Sequence, residues 1–419
     1  MRPRFPKTSL LLGLALGLAA FRTEVAVPVK AALQTAQTHL ATLAQTKMPP
    51  GRYPRSTAKD GSLATVESPD WTSGFFPGSL WLMYDYTRDK KWEKLARQWT
   101  ADLKKEQFNT GTHDLGFMLF CSFGNGYRLT RDPEYKRIIL QGSKSLITRF
   151  NPKTGTIRSW DHGRDVWQYP VIIDNMMNLE MLYWATRQTG DSSYYRIATT
   201  HALNTLKNHF RSDHSSYHVV DYDTLTGQVR QRVTHQGYAD ASAWARGQAW
   251  GLYGFTVAYR ETQDPRFLRQ AQAIADFFLN HKSLPSDKVP YWDFDAPAQP
   301  RRPRDASAAA IAASGLLELS RYSPGKKVAY EQAAGQMLSS LASPAYLAKP
   351  NTNNSFILMH STGHLPHNSE IDVPINYADY YFIEGLLRWN QRTDPKKIRV
   401  PEVQPKGEQP LRKENIKKF

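Results

Sequence analysis

The sequence predicts an all-α fold, an (α/α)6 toroid of six inner and six outer helices, on three observations. Helical apolar periodicity recurs twelve times along the 419 residues. The twelve segments alternate between two kinds. One kind keeps a polar face and falls at 29–46, 92–106, 134–148, 193–210, 266–281 and 327–341. The other is nearly apolar all round and rich in Gly and Ala, at 74–86, 115–129, 175–188, 243–261, 306–321 and 379–389. A helix that is apolar on every side is an interior one. Strict alternation of the two kinds therefore predicts an outer ring laced to an inner ring.

The third observation is a repeated join. It reads Thr87-Arg88-Asp89-Lys90-Lys91-Trp92, Thr130-Arg131-Asp132-Pro133-Glu134-Tyr135, Thr189-Gly190-Asp191-Ser192-Ser193-Tyr194 and Thr262-Gln263-Asp264-Pro265-Arg266-Phe267. In each, the Asp side chain is placed to cap the next helix, Pro suits the first turn, and the aromatic residue staples the hairpin. Tyr322-Ser323-Pro324-Gly325 is a degenerate fifth copy. The spacings of 43, 59 and 73 residues mean helical hairpins joined by long, variable loops. Strand signals are scarce; 217–220 and 228–233 are expected to pair as a small hairpin inside one loop.

The chain divides into three parts. Arg2, Arg4 and Lys7 precede an apolar run over 10–21 that ends in small residues, so 1–22 reads as a secretory signal peptide. Twelve apolar residues are too few to span a bilayer, so no stable membrane insertion is expected. Residues 29–392 are expected to form one catalytic domain, and 393–419 a basic, Pro-containing tail. Cys121 is the one cysteine, which excludes an intramolecular disulfide and a cysteine metal site. An exported chain without disulfides points to a bacterial periplasm. The net charge of +16 attracts polyanions. For an exported protein that favours acidic saccharide over nucleic acid as the partner.

In a toroid every inner helix starts at one rim. The residues gathered there are Asp70-Trp71, His113-Asp114, Asp174-Asn175, Trp244-Ala245-Arg246, Asp305 and Tyr377-Ala378-Asp379. Capping alone accounts for many helix-start aspartates. Asp174 stands out because Val171-Ile172-Ile173 leads into it, an approach that strips water from the carboxyl and raises its pKa. Asn175 and Asn178 beside it are candidates for sugar hydrogen bonds. Asp114 is the facing carboxylate, and two carboxyls in one cavity push each other's pKa values apart. The rim aromatics Trp71, Phe75, Tyr238, Trp244 and Trp250 read either as core or as stacking platforms for sugar rings. Arg246 and Gln248 sit on an otherwise apolar helix, so Arg246 either pairs with an internal Asp or clamps a substrate carboxylate. His218, His235, His360, His364 and His367 lie scattered through loops without a metal-ligand motif, so no metal is expected. No phosphate-cradling glycine loop or Gly-x-Ser-x-Gly is present, and no cofactor is expected.

Five blocks together carry a resemblance. They are 70–81 (Asp70-Trp71-Thr72-Ser73-Gly74-Phe75 onward), His113-Asp114-Leu115-Gly116-Phe117, Asp174-Asn175-Met176-Met177-Asn178, 244–250 around Arg246, and 372–381 around Asn376-Tyr377-Ala378-Asp379. In order and content they resemble the unsaturated glucuronyl hydrolases of glycoside hydrolase family 88. The resemblance implies an (α/α)6 barrel that hydrates the C4=C5 vinyl ether left by polysaccharide lyases, and the chain's basic charge points to lyase-generated glycosaminoglycan fragments as the substrates. The resemblance implies Asp174 as general acid and base and Asp114 as its partner carboxylate. It also implies Trp71, His113, His218, His235, Gln236, Arg246 and Trp250 as substrate contacts. The alternatives are an unsaturated rhamnogalacturonyl hydrolase acting on pectin fragments, a polysaccharide lyase on the same toroid, and a non-catalytic acidic-glycan-binding protein.

Overall fold

The computed structural model of the chain describes residues 25–298 and 302–392. The expected signal peptide (1–22) and basic tail (393–419) lie outside the described residues. Twelve α-helices run in chain order: α1 (Val29–Gln45), α2 (Phe75–Thr87), α3 (Lys90–Ala101), α4 (Asn125–Thr130), α5 (Pro133–Ile147), α6 (Leu179–Thr189), α7 (Ser192–Asn208), α8 (Ala245–Thr262), α9 (Pro265–Asn280), α10 (Ala306–Leu319), α11 (Lys327–Leu341) and α12 (Asn376–Gln391). Even-numbered helices form the inner ring. They close it by packing α2 on α12, α12 on α10, α10 on α8, and α8 back through α6 and the segment before α4 to α2. The (α/α)6 barrel is therefore the fold.

Burial follows the two patterns read from the sequence. Every side chain of α10 is buried. Outer helix α9 buries only the stripe Phe267, Gln270, Ala271, Ile274, Ala275 and Phe278. Each large apolar residue withdrawn from water this way contributes roughly 1.5–3 kcal/mol. That burial holds the two rings together. Among the described residues, no helix is long and apolar enough to cross a membrane.

The repeated join works as its residues predict. Asp89, Asp132, Asp191 and Asp264 accept from the backbone N–H two residues on, at 2.9, 3.0, 2.8 and 2.9 Å. The Thr two residues earlier in turn accepts from the Asp N–H. Between them sits a left-handed residue that ends the inner helix: Arg88, Arg131, Gly190 or Gln263. The degenerate copy departs from this pattern. Two 3-10 turns, Ser320–Tyr322 and Pro324–Lys326, lead into α11, which has no side-chain cap.

Two inner helices begin irregularly, and both carry a candidate carboxylate. The stretch expected as one α-helix from 115 opens as a π-helix, Gly116–Gly124, before becoming α4. The entry to α6 is a 3-10 helix, Ile173–Asn178. Asn178 clips these two starts together, its Oδ1 accepting from Phe117 N at 2.9 Å. Gly116 makes the approach possible, since a Cβ there would meet the Asn178 Cα at 2.6 Å.

The loops of this rim carry more strand than expected. The hairpin expected at 217–220 and 228–233 is β6 (Val219–Tyr222) with β7 (Val229–Val233). It gains a third strand, β5 (Pro170–Ile172), which is the apolar approach to Asp174. Hairpins β1 (Arg52–Thr57) with β2 (Leu63–Glu67), β3 (Phe150–Asn151) with β4 (Thr156–Ile157), and β8 (Ser361–His364) with β9 (Ser369–Val373) add to it. These strands are too short or too polar to announce themselves by alternation.

Candidate active site

Asp174 stands in the first turn of the 3-10 helix that β5 feeds. Val171 and Ile173 are wholly buried, and the carboxyl itself is buried. Loss of water is the largest influence on it and pushes its pKa to about 7; Asp114 pushes the same way, while His113 and Arg246 pull against them. Its Oδ2 has no hydrogen-bond partner. The nearest ion-pairing atom is Nε2 of His218, at 3.8 Å.

His218 is held in one tautomer by the backbone. Its Nδ1 accepts from both His235 N (3.0 Å) and Gln236 N (3.1 Å), so the ring proton resides on Nε2. Burial keeps this imidazole neutral, far below its usual pKa. The result is a fixed N–H donor facing the free oxygen of Asp174. Trp244 packs against the ring at 4.6 Å between centroids.

Asp114 takes a different environment. Its Oδ1 lies 3.1 Å from His113 Nε2, and its Oδ2 accepts from Thr112 Oγ1 at 3.0 Å. His113 is buried and braced in turn, with Nδ1 3.3 Å from Ser159 Oγ. Ser159 Oγ also accepts from Ile172 N at 3.0 Å, so one serine ties the His113–Asp114 pair to the strand that delivers Asp174. Neither carboxylate side chain caps a helix. Asp305 does: it accepts from Ser307 N while pairing with Arg246 at 2.9 Å.

That pairing answers the question posed by Arg246. The guanidinium is buried, and Nη1 also donates to Thr362 O at 2.5 Å while Nη2 donates to Gly363 O at 2.6 Å. Arg246 thus bolts hairpin β8–β9 over the rim, leaving only its Nε without a partner. Gln236 reinforces the bolt, donating to Gly363 O at 3.1 Å. On the far strand, Arg55 forks onto Glu370 (2.6 and 2.9 Å) and reaches Asp70 at 2.6 Å. That Arg246 and Gln236 hold this hairpin was not read from the sequence, because their partners at Thr362 and Gly363 are backbone carbonyls, which carry no sequence signal.

The aromatics separate into floor and rim. Trp71 is half-buried and lies against Tyr377 at 4.9 Å, with an interplanar angle of 32°. Phe75, Phe117, Trp250 and Tyr381 continue below it. Trp250 is wholly buried, its Nε1–H unpartnered, so it belongs to the floor. Tyr238 is exposed at the edge. The expectation that Asn175 and Asn178 face sugar is corrected. Both are buried and structural: Asn175 Nδ2 donates to Ile157 O, and Asn178 serves Phe117 N.

The histidines are less scattered than their sequence positions suggest. His235 stands 4.8 Å from His364 and 4.9 Å from His367 between ring centroids. The signal for this was the dense run His360 to His367. A cavity of about 590 Å³ opens at the opposite end of the barrel, lined by Arg128, Glu180, Arg187, Glu384 and Arg388 among others. Its charges are ion-paired, as in Arg128–Asp85, Arg260–Glu180 and Arg388–Glu384. The unpartnered carboxyl of Asp174 lies at the other end.

Comparison with known proteins gives the family. The family profile of Glycosyl Hydrolase Family 88 matches residues 45–266. An unsaturated glucuronyl hydrolase of Formosa agariphila is 50% identical over 340 residues, covering 80% of this chain and 84% of its own length. An unsaturated chondroitin disaccharide hydrolase of Streptococcus pyogenes is 33% identical over 355 residues, covering 82% and 87%. The crystal structure of an unsaturated glucuronyl hydrolase specific for heparin superposes with a TM-score of 0.84 at 51% identity, covering 87% of this chain and 97% of that one.

Proposed function

The chain belongs to glycoside hydrolase family 88, the unsaturated glucuronyl hydrolases, and from that premise we propose that Asp174 is the proton donor with which it removes delta-4,5-unsaturated uronic acid from lyase-generated glycosaminoglycan oligosaccharides. The observation that carries the proposal is the state of Asp174: buried, pushed to about 7, and with Oδ2 free. A carboxyl tuned close to the working pH is an effective general acid and, once ionised, an effective base.

The chemistry runs through the double bond. The proton of Asp174 goes to C4, the C4=C5 electrons form the new C–H bond, and positive charge spreads over C5 and the ring oxygen. The Asp174 carboxylate then takes a proton from water as the water oxygen bonds to C5. The hemiketal opens by breaking its bond from C5 to the ring oxygen, and the hemiacetal left at C1 expels the downstream sugar. Asp114, fixed by His113 and Thr112, supplies the second carboxylate that balances the cation. His218 Nε2–H is aimed where Asp174 and substrate meet. Arg246, bonded through both Nη atoms, acts by its field and by holding the hairpin. Trp71, with its partly open face, is the stacking surface for a sugar ring.

Two experiments test this. Turnover of unsaturated chondroitin, hyaluronan and heparin disaccharides consumes the ultraviolet chromophore of the conjugated uronate in step with release of the second sugar. An enzyme attacking C1 directly would release the unsaturated uronate intact, so absorbance would decay only afterwards, as that sugar opens and ketonises, and would lag behind release of the second sugar. Pectin-derived disaccharides in the same panel separate the rhamnogalacturonyl alternative. We also propose export to a bacterial periplasm, supported by the charged and apolar opening of the chain. Fractionation of expressing cells tests it, and recovery of the full-length chain in the cytoplasm would contradict it.

A further inference from the structure

Three imidazoles meet at the mouth of this site without any role in the reaction just described requiring them together. His364 and His367 flank a single 3-10 turn, Leu365–His367, at the tip of hairpin β8–β9. Three residues per turn eclipse the side chains at i and i+3, and the two rings accordingly stack at 3.9 Å and 7°. His235 comes from the loop after β7 and stands across them at 84° and 89°. One nitrogen from each ring lies within 4.8 Å of the other two. His364 Nε2 is buried and has no hydrogen-bond partner.

We propose that His235, His364 and His367 bind one divalent transition-metal ion of the zinc class, tying the tip of hairpin β8–β9 to the loop that carries His235. The all-imidazole donor set selects zinc, copper or nickel over magnesium or calcium, which take oxygen ligands. Zinc–nitrogen bonds of about 2.0–2.1 Å place tetrahedral ligand atoms roughly 3.3 Å apart. Closing from 4.8 Å is within reach of a side-chain rotation at His367, which is exposed. Ligation through His364 Nε2 moves that ring's proton to Nδ1. The cost is one long hydrogen bond, His367 N to His364 Nδ1 at 3.4 Å. Three protein ligands leave a fourth position open to water. The cluster adjoins the carboxylate site, since His235 N donates to the His218 ring beside Asp174, but metal binding is read without turnover and so does not depend on the assignment of Asp174.

Isothermal titration of Zn²⁺ into the full-length, tag-free chain tests the proposal, alongside His364→Ala and His367→Ala. The expected result is one ion per chain, with affinity at least about tenfold weaker in each variant and further weakened in the double variant. Zn²⁺ is also expected to raise the melting temperature of the wild type and not of the double variant. Equal binding by wild type and double variant, or no binding by either, would overturn it. If a variant melts abnormally low without metal, the Co²⁺ spectrum of the wild-type chain decides instead. Visible bands of tetrahedral or five-coordinate nitrogen ligation are expected, and the spectrum of hydrated Co²⁺ alone would sink the idea.

Discussion

Asp174 and Asp379 are two buried carboxyls at the starts of inner helices, and burial pushes both to about 7. They differ in what their oxygens meet. Asp379 accepts from Ile357 N and Leu358 N, both at 2.8 Å, so each oxygen is occupied by the backbone of the loop before β8. Asp174 keeps Oδ2 free and points it toward a fixed N–H donor, with a second carboxylate nearby. The same perturbed pKa therefore goes with a filled structural site in one place and, in our proposal, with an acid free to react in the other. A shifted carboxyl becomes a candidate catalyst only when its hydrogen bonds are left unfilled.

The largest expected effect separates the pair directly. Asp174→Asn is expected to lower kcat by about 10³-fold or more with KM little changed, as loss of a general acid does. Asp379→Ala leaves two buried N–H groups stranded and is expected to cost about 2–4 kcal/mol of stability while kcat stays within a few-fold. Absorbance kinetics and denaturant unfolding near pH 6 read both. Comparable loss of kcat in the two variants would erase the distinction.

Stability against pH sharpens it further. The folded pKa of Asp174 is raised, so the stability associated with its neutral form is complete below the unfolded value and lost as pH rises through about 7. Asp174→Asn removes that penalty and is expected to stabilise the protein at alkaline pH by up to about 4 kcal/mol, with no gain in acid. Equal melting of wild type and variant at alkaline pH would contradict the assignment. Arg246→Met acts in the other direction. It leaves Asp305 buried without its cation and is expected to cost roughly 3–5 kcal/mol, with hairpin β8–β9 losing protection from hydrogen exchange.

Smaller effects probe the supports. Gly116→Ala drives a Cβ into the backbone of Asn178 and is expected to cost about 1–3 kcal/mol. It also lowers kcat, because Asn178 sets the position of the Asp114 segment relative to Asp174. Asp191→Ala provides the baseline for an aspartate whose side chain caps a helix, accepting from Ser193 N. A loss of about 1 kcal/mol with unchanged kinetics is expected there.

The barrel was legible because its evidence is periodic. Alternating stripes and the Thr-x-Asp joins are local patterns, and local hydrogen bonds realise them, as at Thr130 and Asp132. Asp174 was legible for a similar reason, since its desolvation comes from the adjoining Val171-Ile172-Ile173 run. What stayed hidden depends on distant backbone. The Arg246 partners Thr362 and Gly363 are carbonyls more than a hundred residues away. The Nε2–H tautomer of His218 is set by the N–H groups of His235 and Gln236, which any residue types would supply. Asn178 was misjudged because an amide close to a rim Asp looks the same in sequence whether it faces sugar or clips two helices together.

The most direct test of the account is kcat/KM against pH, from about pH 5 to about pH 9, with an unsaturated disaccharide at low concentration. An acid at about 7 that must be protonated predicts a limb falling tenfold per pH unit above that point. A constant rate through the alkaline range, or one that rises as Asp174 ionises, would contradict its role as the proton donor.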